Sequence, residues 1–236
     1  MWRAWAAGVL IASMIGLGAC QYPRDPEGTL NRVEGGTLRV GVVEDEPWVK
    51  LDQAKEPAGV EPELVRQFAD ELDAEIEWVE GSESELVEAM RGYQIDLLIG
   101  GLTRGSPWAK EVALTRPYVD TEIEFGVPPG TDVPGDLSGV EVWVERNSEA
   151  AALLEQEEEE ADAVYFDEIE QVDGLALLDT YDIDAIGYER TANIFRDHEH
   201  AMAVPQGENA FLVELENFLL DRGDEAERLV AEEAKR

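Results

Sequence analysis

The chain has 236 residues, 54 acidic against 18 basic, with a formal net charge of −36 at pH 7. A surface of that sign repels nucleic acid and anionic lipid, which excludes direct binding to either as the main activity. Only Lys50, Lys55, Lys110 and Lys235 are lysines, and the acids are spread through periodic segments, so they read as a solvated face rather than a disordered tail. Such surfaces suit high salt, where screening removes self-repulsion, and a halophilic source is expected.

Met1 to Ala19 read as a signal peptide, with Arg3 followed by "AWAAGVLIASMIGLGA". That apolar stretch is too short and too rich in small residues for a comfortable membrane span. It ends in "LGAC", which resembles a lipobox. Cys20 is the only cysteine, so an intrachain disulfide is excluded. A lipid on Cys20 would hold the mature chain at the outer side of a membrane; a buried free thiol is the plainer alternative. Residues 20–36 are polar, rich in Gly and Pro and not periodic, a tether.

"TLRVGVV" is a first strand, short and apolar. Pro62 suits a first helical turn, and Leu64, Phe68 and Leu72 recur along one face. "EIEWVE" is a second strand. Ser82 with Glu85 forms a capping box for the helix after it, and "IDLLIGG" is a third strand. Strand–helix–strand–helix–strand predicts a parallel α/β sheet. After Tyr118 the pattern changes. "EIEFGV", "DLSGVEVWVE", "DAVYFD" and "IDAIGYE" read as strands. "EAAALLEQEEEE" is a helix, and a poorly capped helical stretch runs to Leu178. A second α/β unit therefore covers Glu124 to Val204. "AMAV" is a short strand, and two helices end the chain.

The stretches "GTLRVGV", "EPWV", "GVEPELVRQFADEL", "LVEAMRGYQIDLLIGGLT", "RPY", "DLSGVEVWV" and "IDAIGYE" together resemble the extracellular solute-binding proteins of ABC importers, polar-amino-acid type. The resemblance runs from Thr37 to the final helix. It implies the type II periplasmic-binding-protein fold, two α/β lobes joined by two hinge strands that close on a ligand. "EIEFGV" and "AMAV" stand where the crossings are expected. The implied division is 1–19 signal, 20–36 tether, 37–123 with 205–236 as the first lobe, and 124–204 as the second. A small solute and an ABC permease are the implied partners, with no cofactor, no catalysis and a monomer as the default. No second, cell-wall-cleaving domain is expected.

In open α/β sheets ligands sit beyond the carboxyl ends of the strands. The loops there carry Trp48, then Gly101, Thr103, Arg104 and Trp108, then Asn147 and Ser148, and then Glu189. Relatives that bind α-amino acids place a carboxylate-gripping arginine where Trp108 stands. An uncharged indole has one donor where a guanidinium has five. Arg104 is a replacement anion clamp or a surface residue. Ser148 is a ligand contact, an N-cap, or both, and Glu149 beside it disfavours a carboxylate. For the acid that receives a ligand ammonium, spacing selects Glu189 and the letters of "DAVYFD" select Asp167. Trp48 is a stacking platform or lobe packing. His198 and His200 in "RDHEH" read as a solvated loop rather than a metal pair. Two indoles, acids and no clear anion clamp point to a cationic or an apolar–polar solute. The rival readings are a sensor or scaffold that has lost its ligand, and a dehydratase-like enzyme.

Overall fold

The computed structural model describes residues 23–52, 56–146, 148–158 and 160–235. Cys20, the signal stretch and Asn147 lie outside them. The first elements are α1 (Thr29–Val33), β1 (Thr37–Val42), α2 (Val60–Glu71), β2 (Glu75–Glu80), α3 (Glu83–Arg91), β3 (Leu97–Ile99) and β4 (Ala113–Leu114). There follow β5 (Val119–Val127), β6 (Glu141–Glu145), α4 (Glu149–Glu157), β7 (Asp162–Phe166), β8 (Ala176–Asp179), α5 (Thr180–Ala185) and β9 (Glu189–His200). The chain closes with β10 (Ala203–Val204), α6 (Asn209–Asp221) and α7 (Gly223–Glu233). They form two α/β lobes, each on a five-stranded sheet, with strand orders β2-β1-β3-β10-β4 and β7-β6-β8-β5-β9.

In the first sheet β1, β2 and β3 are parallel, and β10 is antiparallel to β3 and β4. The apolar stripe of α2 (Leu64, Val65, Phe68, Ala69) is buried on this sheet. The Phe68 ring meets Phe211 at 5.9 Å and Phe218 at 5.2 Å, which brings α6 onto the same core. Burying one such side chain contributes about 1.5–3 kcal/mol. In the second sheet β6, β7 and β8 are parallel, and β5 runs antiparallel to both β8 and β9. A separate core lies there, around Phe125, Val142, Val144, Leu154 and Leu177.

The two chain crossings between the lobes lie side by side. Val119 pairs with His200 at the joint, where the Tyr118 N–H donates to the His200 carbonyl at 3.0 Å. The crossings are therefore the start of β5 and the end of β9. Residues 119–123, assigned from sequence to the first lobe, pair in the second sheet, and Ala203 and Val204, assigned to the second, pair in the first. "IDAIGYE" is no strand: it supplies the end of α5, a turn at Gly187 (φ 73°), and the first residue of β9. The stretch before Leu178 is no helix; a 3₁₀ turn at Ile169–Gln171 leads into β8. "RDHEH" belongs to β9 rather than to a loop.

The tether reading also changes from Pro23 onward. Asp25 accepts from the Leu30, Ala210 and Phe211 N–H groups, capping α1 and α6 at once. Buried Glu208 accepts in return from Glu27 and Thr29. Arg32 and Arg39 both grip buried Asp96, each at 2.6 Å. Reciprocal capping of this kind satisfies orphan helix donors without any hydrophobic period, so the sequence pattern gave no sign of it.

Candidate functional site

The carboxyl ends of β1 and β3 present two loops to the cleft, and they touch. A Cβ on Gly101 (φ 65°) would lie 2.0 Å from Asp45 Oδ2 and 2.7 Å from Trp48 Cδ1. One on Gly100 would meet Val43 Cβ at 2.6 Å. Glycine is required here for close approach as well as for backbone angle. Trp48 is 3% exposed. Its ring lies on His200, centroids 3.8 Å apart, and edge-on to Tyr118 at 6.4 Å and Tyr181 at 6.3 Å. Tyr181 comes from α5 of the second lobe, so Trp48 packs between lobes at the base of the cleft.

Beneath these loops lies Glu61, wholly buried in the first turn of α2. Its Oε2 accepts from Gly100 N at 2.7 Å and Gly101 N at 3.0 Å, and its Oε1 from the Tyr118 hydroxyl at 2.8 Å. Burial raises its pKa to about 7, against the opposing pull of those three donors. The Gly100 and Gly101 N–H groups are thereby taken from inside the lobe. His200, 3% exposed, shares a hydrogen bond with Thr121 Oγ1 at 2.9 Å. Burial and the neighbouring His198 drive its pKa down to about 3, so it stays neutral. Its Nδ1 has no hydrogen-bond partner among the described residues.

Acids face one another across the cleft. Asp45 keeps an edge in solvent, yet burial and Glu83 push it up to about 6. On the second lobe Asp179 ends β8 and rises to about 7 through burial, Asp182 and Glu149, with Asp45 contributing from the other lobe. Asp182 rises to about 7 through burial and Glu145. Glu145 is raised by burial and by Glu46 of the first lobe. The second-lobe arginines are committed elsewhere: Arg146 to Asp167 at 2.9 Å, Arg190 to Asp184 at 2.5 Å, and Arg196 to Glu149 at 3.2 Å. Among the described residues no group of three or more His, Cys, Asp or Glu is arranged to hold a metal.

The structure brings Trp48, Gly101 and Thr103 together; Thr103 bridges backbone to backbone with His200. Local contacts hold the other predicted residues. Trp108, on a 3₁₀ turn capped by Ser106, lays its ring against the first-lobe cluster of Leu86, Val87, Met90 and Leu98. Its Nε1 is buried without a partner among the described residues. That is a packing position. Arg104 donates from Nη1 to the Thr115 carbonyl at 3.2 Å, across its own lobe. Ser148 caps α4, its hydroxyl accepting from Ala151 N at 3.1 Å and donating to the Glu145 carbonyl at 2.8 Å. Glu189 pairs with Val127, at the end of the β5–β9 ribbon away from the joint. The spacing argument counted through a strand that is a helix and a turn; in the structure Asp179, opposite Ile123 near the joint, ends β8.

A model of the bacterial extracellular solute-binding proteins, family 3, matches residues 38–227. The chain belongs to that family. Solved structures of similar fold include an ancestral cationic amino acid solute-binding protein, with a TM-score of 0.70 at 18% identity, covering 86% of this chain and 98% of the other. The L-cystine solute receptor of Neisseria gonorrhoeae, in the unliganded open conformation, matches with a TM-score of 0.65 at 15% identity, covering 86% and 97%. A putative ABC-transporter binding component from Wolinella succinogenes, complexed with lysine, matches at 0.59 and 18% identity, covering 82% and 94%. These place the family 3 protein in the type II fold. By sequence it is 31% identical over 106 residues to membrane-bound lytic murein transglycosylase F of Vibrio campbellii, 44% of this chain and 20% of that protein. The Pseudomonas fluorescens protein of the same name is 29% identical over 169 residues, 68% and 35%. The chain thus spans about a fifth to a third of those relatives. Family 3 proteins are typically extracellular or periplasmic, and no helix among the described residues is long and apolar enough to cross a membrane.

Sequence reasoning passed over Glu61, Asp45, Asp179, Asp182 and Tyr181, and read buried His200 as part of a solvated loop. Glu61 read as an ordinary acid in a helical first turn, where acids are favoured anyway. The one signal was its place between Val60 and Pro62, on what proves to be the buried face.

Proposed function

We propose that this family 3 protein is the lipid-anchored binding component of an ABC importer, capturing a small cationic solute by closing two lobes and performing no chemistry on it. The observation that carries the cationic class is the set Asp45, Glu145, Asp179 and Asp182 converging on the cleft from both lobes. Like charges facing across a hinge oppose closure, and a cation between them reverses the sign. The aromatic wall of Trp48 and Tyr181 suits an ammonium group with an apolar stem. Fold neighbours named for cationic amino acid and for lysine support the same class. Cys20 is the proposed lipid attachment, and high salt the proposed working medium.

The test is a panel of lysine, arginine, a linear diamine, glutamine and glutamate in high salt, read by thermal shift and native mass spectrometry. Stoichiometric, unmodified retention of a cationic member is expected. Glutamate bound as tightly as lysine would sink the cationic class, and turnover of any member would sink the non-enzymatic reading. A second reading, a non-transporting sensor or scaffold, is favoured by the murein transglycosylase relatives, which are not named as importers. Silence across the panel supports it.

A further inference from the structure

Glu61 is fully buried, yet it touches three segments of the first-lobe site. Its own N–H donates to the Trp48 carbonyl at 3.1 Å, and the Val60 N–H donates to Pro47 at 3.3 Å. Its carboxylate holds the Gly100–Gly101 turn through one oxygen and Tyr118 through the other. Tyr118 is the residue before β5, bonded through its N–H to His200 on the second crossing. Three segments far apart in sequence therefore meet on one residue: the Trp48 loop on its backbone N–H, and the glycine turn and the joint on its carboxylate.

We infer that Glu61 is a positioning residue, a single buried carboxylate through which the joint holds the Gly100–Gly101 turn, so that hinge and turn move as one piece. The inference rests on reading the cleft as the solute site. A carboxylate with four lone-pair positions accepts three donors at once, whereas a neutral isostere must turn one of them round. Nearby groups add no competing cation: Asp45 comes from the loop after β1, Tyr118 from the start of β5, and neutral His200 from the end of β9. Because the three donors share one acceptor, removing one alters the hold on the other two.

The experiment follows the Gly100 and Gly101 amide resonances of ¹⁵N-labelled Asp45→Asn protein, without solute, from pH 5 to 9, because Asp45 touches Gly101 and itself titrates near 6. Both are expected to titrate together with a midpoint near 7. Tyr118→Phe deletes one donor to the charged form, so the shared midpoint moves up by about half a pH unit. Glu61→Gln still accepts from the two glycines while the Tyr118 hydroxyl turns to accept from its amide. It keeps those amides protected from exchange and abolishes the titration. Separate midpoints for the two glycines, or a midpoint that Tyr118→Phe leaves in place, would overturn the inference. The readout needs no solute, so its failure is distinct from a failure of the solute panel.

Discussion

The two walls of the cleft solve opposite problems. On the first lobe Glu61 is turned inward and serves two glycines and a tyrosine, while glycines let Asp45 and Trp48 approach the turn. On the second lobe Asp179 and Asp182 end a strand and open a helix, with neighbouring acids for company. One wall is built mainly for shape, with Asp45 at its edge, and the other for charge. The difference teaches where to look for each property: damage to the first wall should appear in stability, and damage to the second in ligand choice.

Substitutions can break that division. Glu61→Ala leaves three donors without an acceptor in the first lobe and is expected to cost about 3 kcal/mol, read by urea unfolding. Gly101→Ala places a Cβ on Asp45 and Trp48 at a left-handed φ and should cost about 2 kcal/mol in the same measurement. Trp108→Ala opens a cavity in the Leu86–Met90 cluster for about 2 kcal/mol, while affinity for any solute found by the panel stays within about twofold. A tenfold loss of affinity there would return Trp108 to the site. Asp179→Asn is the reverse case, with folding stability held or raised and cation affinity lowered about tenfold, or about 1.4 kcal/mol.

The pH dependence of the solute-free protein sums over several groups. Asp45, Glu61, Asp179 and Asp182 have folded pKa values of about 6 to 7, above their ordinary values. Their stabilisation is complete below about pH 4 and is lost as pH rises through 6 and 7. His200 acts the other way: with its folded value near 3, its contribution is present above its ordinary 6.5 and is lost on acidification. Between pH 8 and 6.5 the acids outweigh His200, so Tm is expected to rise as the pH falls across that window. Added salt should raise Tm at pH 8 and flatten the slope, which a thermal scan at two salt concentrations checks.

Much of the first lobe was legible because its signals are local. A short apolar strand, a helix stripe ending in Leu72 and the Ser82–Glu85 capping box each lie within a dozen residues. The second lobe was read less well because its register is set by distant pairing. β9 carries exposed, charged residues along most of its length and is a strand because β5 lies beside it. Propensity gives little guidance for such an edge. The site suffered the same way. Trp48 and Gly101 could be found from strand ends, but Asp179 could not until β8 was placed, and Glu61 looked like one more acid among 54.

The stacking of Trp48 on His200 makes this indole a natural optical probe. Its partner ring carries no charge until about pH 3. A protonated imidazole is an efficient quencher of indole emission, and a neutral one much less so. Trp48 therefore keeps its brightness through the whole pH range in which the cleft acids change charge. With the other five tryptophans replaced, any change in its emission there reports the acids, Tyr181 or an arriving solute, with no label added to the protein.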